Sequence, residues 1–222
     1  SGFFRLVVYD PDSLKTITLD SPVFKDVYND ELWNLSFRIR PVDYPIGRFV
    51  SGSGEANVTD GKDAEFYALN KYYIEFMGIN AKTVDMFNSF KKTQIVPYRT
   101  GLRMIGSQRR IYAGAERTNV TGDLLSYSDV MVSSVAAWAK YIEDTDLQQH
   151  ALDIENIGLS GSGQFIGPFD LNNESIYTET RNYDALVLNW NFRNTSPEST
   201  DGGLIYVQDF SSASYADYNQ FG

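Results

Sequence analysis

This chain of 222 residues contains no cysteine and a single histidine. Without Cys there is no disulfide framework, no thiolate zinc site and no thiol nucleophile. A His-rich metal site is impossible, and a Ser-His-Asp triad would have to converge on His150 alone. Positive charge is also scarce: 19 Lys and Arg stand against 29 Asp and Glu, a net charge of −10. Such a balance opposes phosphate backbones and anionic lipid, so neither nucleic acid nor a membrane surface is expected as a partner. No apolar run approaches the roughly 18 residues that a membrane-spanning helix needs.

The chain is rich in short segments of Val, Ile, Tyr, Phe and Thr, separated by Gly, Asn, Asp and Pro. That punctuation predicts strands. Expected strands cover Phe3–Tyr9, Lys15–Leu19, Leu32–Arg40, Arg48–Val50, Tyr72–Phe76, Asp85–Phe90, Arg103–Ile105, Arg110–Ala113 and Asp129–Tyr141, with later ones at Ala185–Phe192 and Gly203–Phe210. From Leu35 onward, Leu, Phe and Ile alternate with Ser, Arg and Arg, which predicts the apolar set inside and the polar set outside. Pro41 has no N–H to donate and should end that strand. One short helix is expected, opened by the capping-box spacing Thr145–Gln148, with Leu147 and Ala151 on one side. Many strands and one helix imply an all-β sandwich rather than an α/β enzyme.

The composition shifts at Leu159-Ser-Gly-Ser-Gly163. The expected organisation is a domain over 1–160, a linker over 161–182, and a partial second module or inter-module strands over 183–222. The start Ser1-Gly2-Phe3-Phe4, without an initiator Met, leads to the expectation of a processed chain or a piece of a longer one.

The run Trp33-Asn-Leu-Ser36-Phe37-Arg-Ile-Arg-Pro41 resembles the Trp-x-x-Ser-Phe-x-x-x-Pro strand of laminin-G-like, concanavalin A-type jelly rolls. Ile111–Ala115, Ser128–Trp138 and Glu143–Gln148 resemble the strands and the acidic helix that follow in that group. More narrowly, Ser128–Gly158, with Leu186–Phe192 and Val207–Ser212 after it, is similar to modules in virion structural proteins of tailed bacteriophages. The resemblance implies a jelly-roll sandwich and a non-enzymatic role in a particle, with other virion proteins or copies of itself as partners. A lectin-like adhesion module binding host surface glycan, in a virion or at an extracellular surface, is the alternative. A coat protein of a small icosahedral virus is a third reading, disfavoured because the basic arm for genome contact is missing.

Laminin-G relatives imply calcium at the sheet rim, for which Asp60, Asp63, Asp123 and Asp129 are candidates in Gly-containing turns. The competing reading is that turn Asp caps its own backbone. Tyr67, Tyr72, Tyr73 and Tyr98 are candidates for an interface or for stacking on sugar. Tyr72 and Tyr73 are adjacent on a strand, so one ring should point in and one out. Glycosidases share the sandwich, but the chain has no Glu-x-Asp-x-x-Glu strand to set two carboxylates in one cleft. Glu143, Asp144 and Asp146 cluster at the start of the expected helix, where the dipole favours acids. His150 reads as a surface or partly packed helix residue, and Arg99, Arg103, Arg109, Arg110 and Arg117 as strand arginines pairing with acidic neighbours. Five Asn-x-Ser/Thr sequons, at Asn34, Asn57, Asn119, Asn173 and Asn194, are what a chain rich in Asn, Ser and Thr contains by chance.

Overall fold

The computed structural model describes residues 1–10, 15–25, 27, 31–43, 70–82, 85–106, 111–112, 114–117, 123–127, 130–153, 185–197 and 205–211. Within them the chain is mostly strand, all of it antiparallel, with two short helices. It divides into two compact units, Ser1–Ser107 and Gln108–Gly222. The first holds 13 Lys and Arg against 13 Asp and Glu, and the second 6 against 16, so the whole net charge of −10 belongs to the second unit.

In the first unit, β1 (Arg5–Asp10) and β2 (Lys15–Asp20) form a hairpin. β3 (Trp33–Pro41), β4 (Lys71–Lys82) and β5 (Asp85–Pro97) form a sheet in the order β3-β4-β5. β4 is the central strand, and every residue from Ile74 to Ala81 is buried. A continuous buried run of this kind marks a strand covered on both faces. One face carries Tyr72, Ile74 and Phe76, which join Leu19, Phe90 and Val96 in the core. Each such side chain contributes about 1.5–3 kcal/mol by leaving water. Gly78 lies within this run because Phe90 fills the space above it, and a Cβ there would overlap the Phe90 ring. The sequence reading broke β4 and β5 too early, since Gly78 and Asn80 look like punctuation when Phe90 is not in view.

α1 (Tyr98–Gly106) follows β5 directly. Arg103–Ile105 was expected as a strand and is helical instead. Thr100 and Gly101 are buried and Met104 packs against the core, at i, i+1 and i+4. That helical stripe is read only when the Tyr72 ring that Gly101 abuts is known. Arg103 in the last turn suits the negative end of the helix dipole.

In the second unit, β6 (Ala115–Arg117) pairs with β7 (Leu124–Tyr127), neither of which was expected as a strand. β8 (Ser134–Trp138), β9 (Leu186–Pro197) and β10 (Ile205–Asp209) form a sheet in the order β10-β9-β8. The expected strand at 129–141 is thus shorter at both ends where described, and of the expected strand Arg110–Ala113 the described residues, Ile111 and Tyr112, are not in a strand. Arg48–Val50 lies outside the described residues. The β8–β9 ladder joins Ser134 to Asn191, so residues on either side of the expected linker at 161–182 share one sheet. A register shift between Val207 and Asp209 interrupts the β9–β10 ladder, and the Asp209 carboxylate accepts hydrogen bonds there from the N–H groups of Asn189 (2.9 Å) and Ser211 (3.0 Å).

α2 (Asp144–Leu152) buries Leu147, His150 and Ala151, at i, i+3 and i+4. The N-cap is Glu143, which makes no side-chain capping bond, and Thr145 is already inside the helix. The expected capping box at Thr145–Gln148 is therefore corrected: the N-cap lies two residues before Thr145. Asp144 and Asp146 do occupy the first turn.

Candidate interaction surface

β3 and β5 are the edges of the β3-β4-β5 sheet, and their side chains define its two faces. The continuous register places Ser36 opposite Met77, Arg38 opposite Glu75 and Arg40 opposite Tyr73. On the far side of β4, Lys91 lies opposite Met77 and Thr93 opposite Glu75. The Glu75 carboxylate is buried, its side chain 1% exposed. It accepts from Arg38 at 3.0 Å, from Arg40 at 3.2 Å, and pairs with Lys91 at 3.6 Å. Arg38 is itself buried, and its guanidinium also reaches the Met77 sulfur at 3.8 Å. Arg40 lies over the Tyr73 ring, 4.6 Å from its centroid.

β3 keeps the expected alternation of faces, with Phe37 opposite Phe76 and Ile39 opposite Ile74, but not the expected order of burial. Arg38 was to face water and is buried, whereas Leu35 is 48% and Phe37 37% exposed. The reason is Glu75: a carboxylate in the middle of the central strand draws both arginines over the sheet, since a buried charge must be paired. Sequence reasoning passed over Glu75. The available signal was a single acid within Tyr72-Tyr-Ile-Glu-Phe-Met-Gly-Ile, an otherwise uncharged run.

Of the described tyrosine candidates, Tyr72 and Tyr98 come together and Tyr73 turns to the other face. Tyr72 is buried in the core, 6.0 Å from the Tyr98 ring, so it presents no surface. Tyr73 points to the other face, beneath Arg40, and Tyr98 is half-buried at the start of α1. Tyr67 lies outside the described residues, as do Asp60, Asp63 and Asp129. Asp123 is exposed just before β7. Among the described residues there is no group of three or more His, Asp or Glu placed to hold a metal ion. His150, expected as a surface or partly packed helix residue, is buried and meets Trp138 edge-on at 5.6 Å. No described helix is long and apolar enough to cross a membrane.

A concavity of about 310 Å³ is lined by Val23, Phe24, Lys25, Glu31, Trp33 and Asn88. Its indole is an unpromising platform for a sugar ring. Trp33 is flanked by Phe4 and Phe24, each with ring centroids 4.8 Å away.

What the first unit does present is apolar area. Besides Leu35 and Phe37, exposed large side chains include Phe87 and Ile95 on β5 and Leu102 and Ile105 on α1. Leu102 and Ile105 are three residues apart, so they lie on one side of the helix. Among the described residues no strand pairs along the outer edge of β3. Comparison with protein-family models, with curated proteins and with solved structures finds no match to this chain.

Proposed function

We propose that this chain is a non-enzymatic structural module of a virion, a laminin-G-like, concanavalin A-type jelly roll that works through protein–protein contacts. The observation that carries the contact role is the set of large apolar side chains left exposed on β3, β5 and α1. Large apolar side chains exposed on both edge strands and on one helix face favour association with protein over solvation. The antiparallel, strand-dominated architecture supports the sandwich reading. The virion setting rests on the likeness of Ser128–Gly158 and of the strands after it to phage structural modules. The glycan alternative has less behind it, because Tyr72 is buried, Tyr73 is covered by Arg40 and Trp33 is flanked by two phenylalanines.

The test is peptide mass spectrometry and antibody labelling of purified particles from the source of this sequence. The expected result is a stoichiometric component with its epitope on the particle. Absence from purified particles, together with a soluble monomeric form in the host lysate, would sink the reading.

A further inference from the structure

We infer that the outer edge of β3 pairs with β3 of a second copy of this chain, antiparallel about a two-fold axis at Phe37. The inference deepens the reading of the chain as a contact module and rests on it. It starts from the hydrogen-bond phase of β3. The Val42 N–H donates to the Lys71 carbonyl at 2.9 Å, and the register from Trp33 to Pro41 has no shift. In an antiparallel ladder, alternate residues bond to the same neighbour. Counting back from Val42, the even positions Arg40, Arg38, Ser36 and Asn34 bond to β4. The backbone groups of Trp33, Leu35, Phe37 and Ile39 therefore point to the outer edge. Pro41 falls in the same outward set, where its missing N–H costs β4 nothing.

The strand's residues fit themselves. Phe37 is the midpoint of Trp33–Pro41. Antiparallel pairing about it sets Phe37 against Phe37, Leu35 against Ile39 and Trp33 against Pro41, an apolar row on one face. On the other face it sets Arg38 against Ser36 and Arg40 against Asn34. No arginine meets an arginine directly, and both are already drawn toward Glu75 on β4, at 3.0 and 3.2 Å. Directly opposed like charges would destabilise such a pair. This register avoids them, and at each end only Pro41, which has no N–H, leaves the opposed Trp33 carbonyl without its ladder bond. The other edge is guarded: β5 carries Lys91 and Lys92 at its centre, a common device against strand addition. β3 carries no lysine, and its centre exposes Leu35 and Phe37. A symmetric interface of this kind uses one patch on both copies. It would join the two β3-β4-β5 sheets into one continuous sheet.

The chain has no Cys, so an introduced one reports a single contact. Sedimentation velocity should show wild-type dimers. Phe37→Cys should give an oxidised, disulfide-linked dimer, because opposed Cα atoms in such a pair lie about 5.5 Å apart, within disulfide reach. Leu35→Cys alone should not cross-link, since its copy stands four residues away, while a mixture of Leu35→Cys and Ile39→Cys should. Phe37→Lys should shift the wild-type dimer to monomer with an unchanged far-ultraviolet spectrum. A monomeric wild type with no Phe37→Cys cross-link overturns the inference. So does a dimer that survives Phe37→Lys, or cross-linking of Leu35→Cys as efficient as that of Phe37→Cys. Edge pairing with a different protein in place of a second copy would overturn it too. Each of these results leaves particle incorporation, measured separately, free to succeed or fail.

Discussion

Glu75 shows how one residue reorganises its neighbours. With the carboxylate buried and Arg38 buried against it, removing one partner strands the other without its counter-charge. Glu75→Gln is expected to destabilise the first unit by about 3–5 kcal/mol, read as a fall in the urea midpoint. A loss below about 1 kcal/mol would mean that the arginines are held by other means. The surface pair Arg5–Asp20 is of another kind. The two residues are register partners at the end of the β1–β2 hairpin, with Arg5 Nε 2.7 Å from the carboxylate. The hydrogen bond from Arg5 holds the Asp20 carboxyl below its ordinary value, and the same bond raises the guanidinium. Since the folded value of Asp20 is lowered, its contribution is complete above the unfolded value. It fades as pH falls through the folded one. Carboxyl NMR titration should place Asp20 below an ordinary Asp, and Arg5→Ala should return it upward. Both side chains lie at the surface, so little global stability is at stake.

At the scale of elements, the sequence located most strands and misjudged their lengths and one type. Gly78→Ala should destabilise β4 by about 1–3 kcal/mol in thermal or urea unfolding, because the new Cβ overlaps the Phe90 ring. Gly101→Ala sets two effects against each other. Helix propensity favours Ala by about 1 kcal/mol. The Cβ, however, would run into the Tyr72 ring and its Cβ, which are buried in the core and cannot swing away. Net destabilisation is expected, and a stabilised Gly101→Ala would show that α1 can lift off β4. The strand expected at Arg103–Ile105 failed for a related reason. Three residues cannot distinguish a period of 2 from one of 3.6, and the decisive contact is with Tyr72, far away in sequence. The faces of β3 were legible from the alternation, but that Glu75 buries Arg38 and holds Arg40 was not.

For the whole molecule, the division into Ser1–Ser107 and Gln108–Gly222 changes what the net charge means. Repulsion of anionic partners belongs to the second unit, because the first is balanced. Exposed charges act over roughly 8 Å at physiological ionic strength, so a chain-wide sum says little about one unit's surface. The second unit has its own buried residues, among them Ile142, Leu147, Ala185 and Leu186. Leu186 is fully buried at the Trp138 end of the β8–β9 ladder. Leu186→Ala should cost about 2–5 kcal/mol through the cavity it leaves, measured from the unfolding transition of Trp138 and Trp190 fluorescence. An unchanged transition would mean that this position collapses without loss.

Composition and periodicity by themselves determined the strand-rich class, the exclusion of thiol chemistry and the acidic balance, because these depend on residue types and local spacing alone. They also placed the helix at 144–152 to within a residue or two, since Leu147 and Ala151 repeat at helical spacing within one segment. Only the tertiary structure decided that Arg38 lies buried while Leu35 and Phe37 stay partly exposed, that Tyr72 belongs to the core, and that 134–138 and 186–197 share a sheet. Each of those outcomes turns on a partner distant in sequence, and a one-dimensional pattern carries no term for a contact it does not contain.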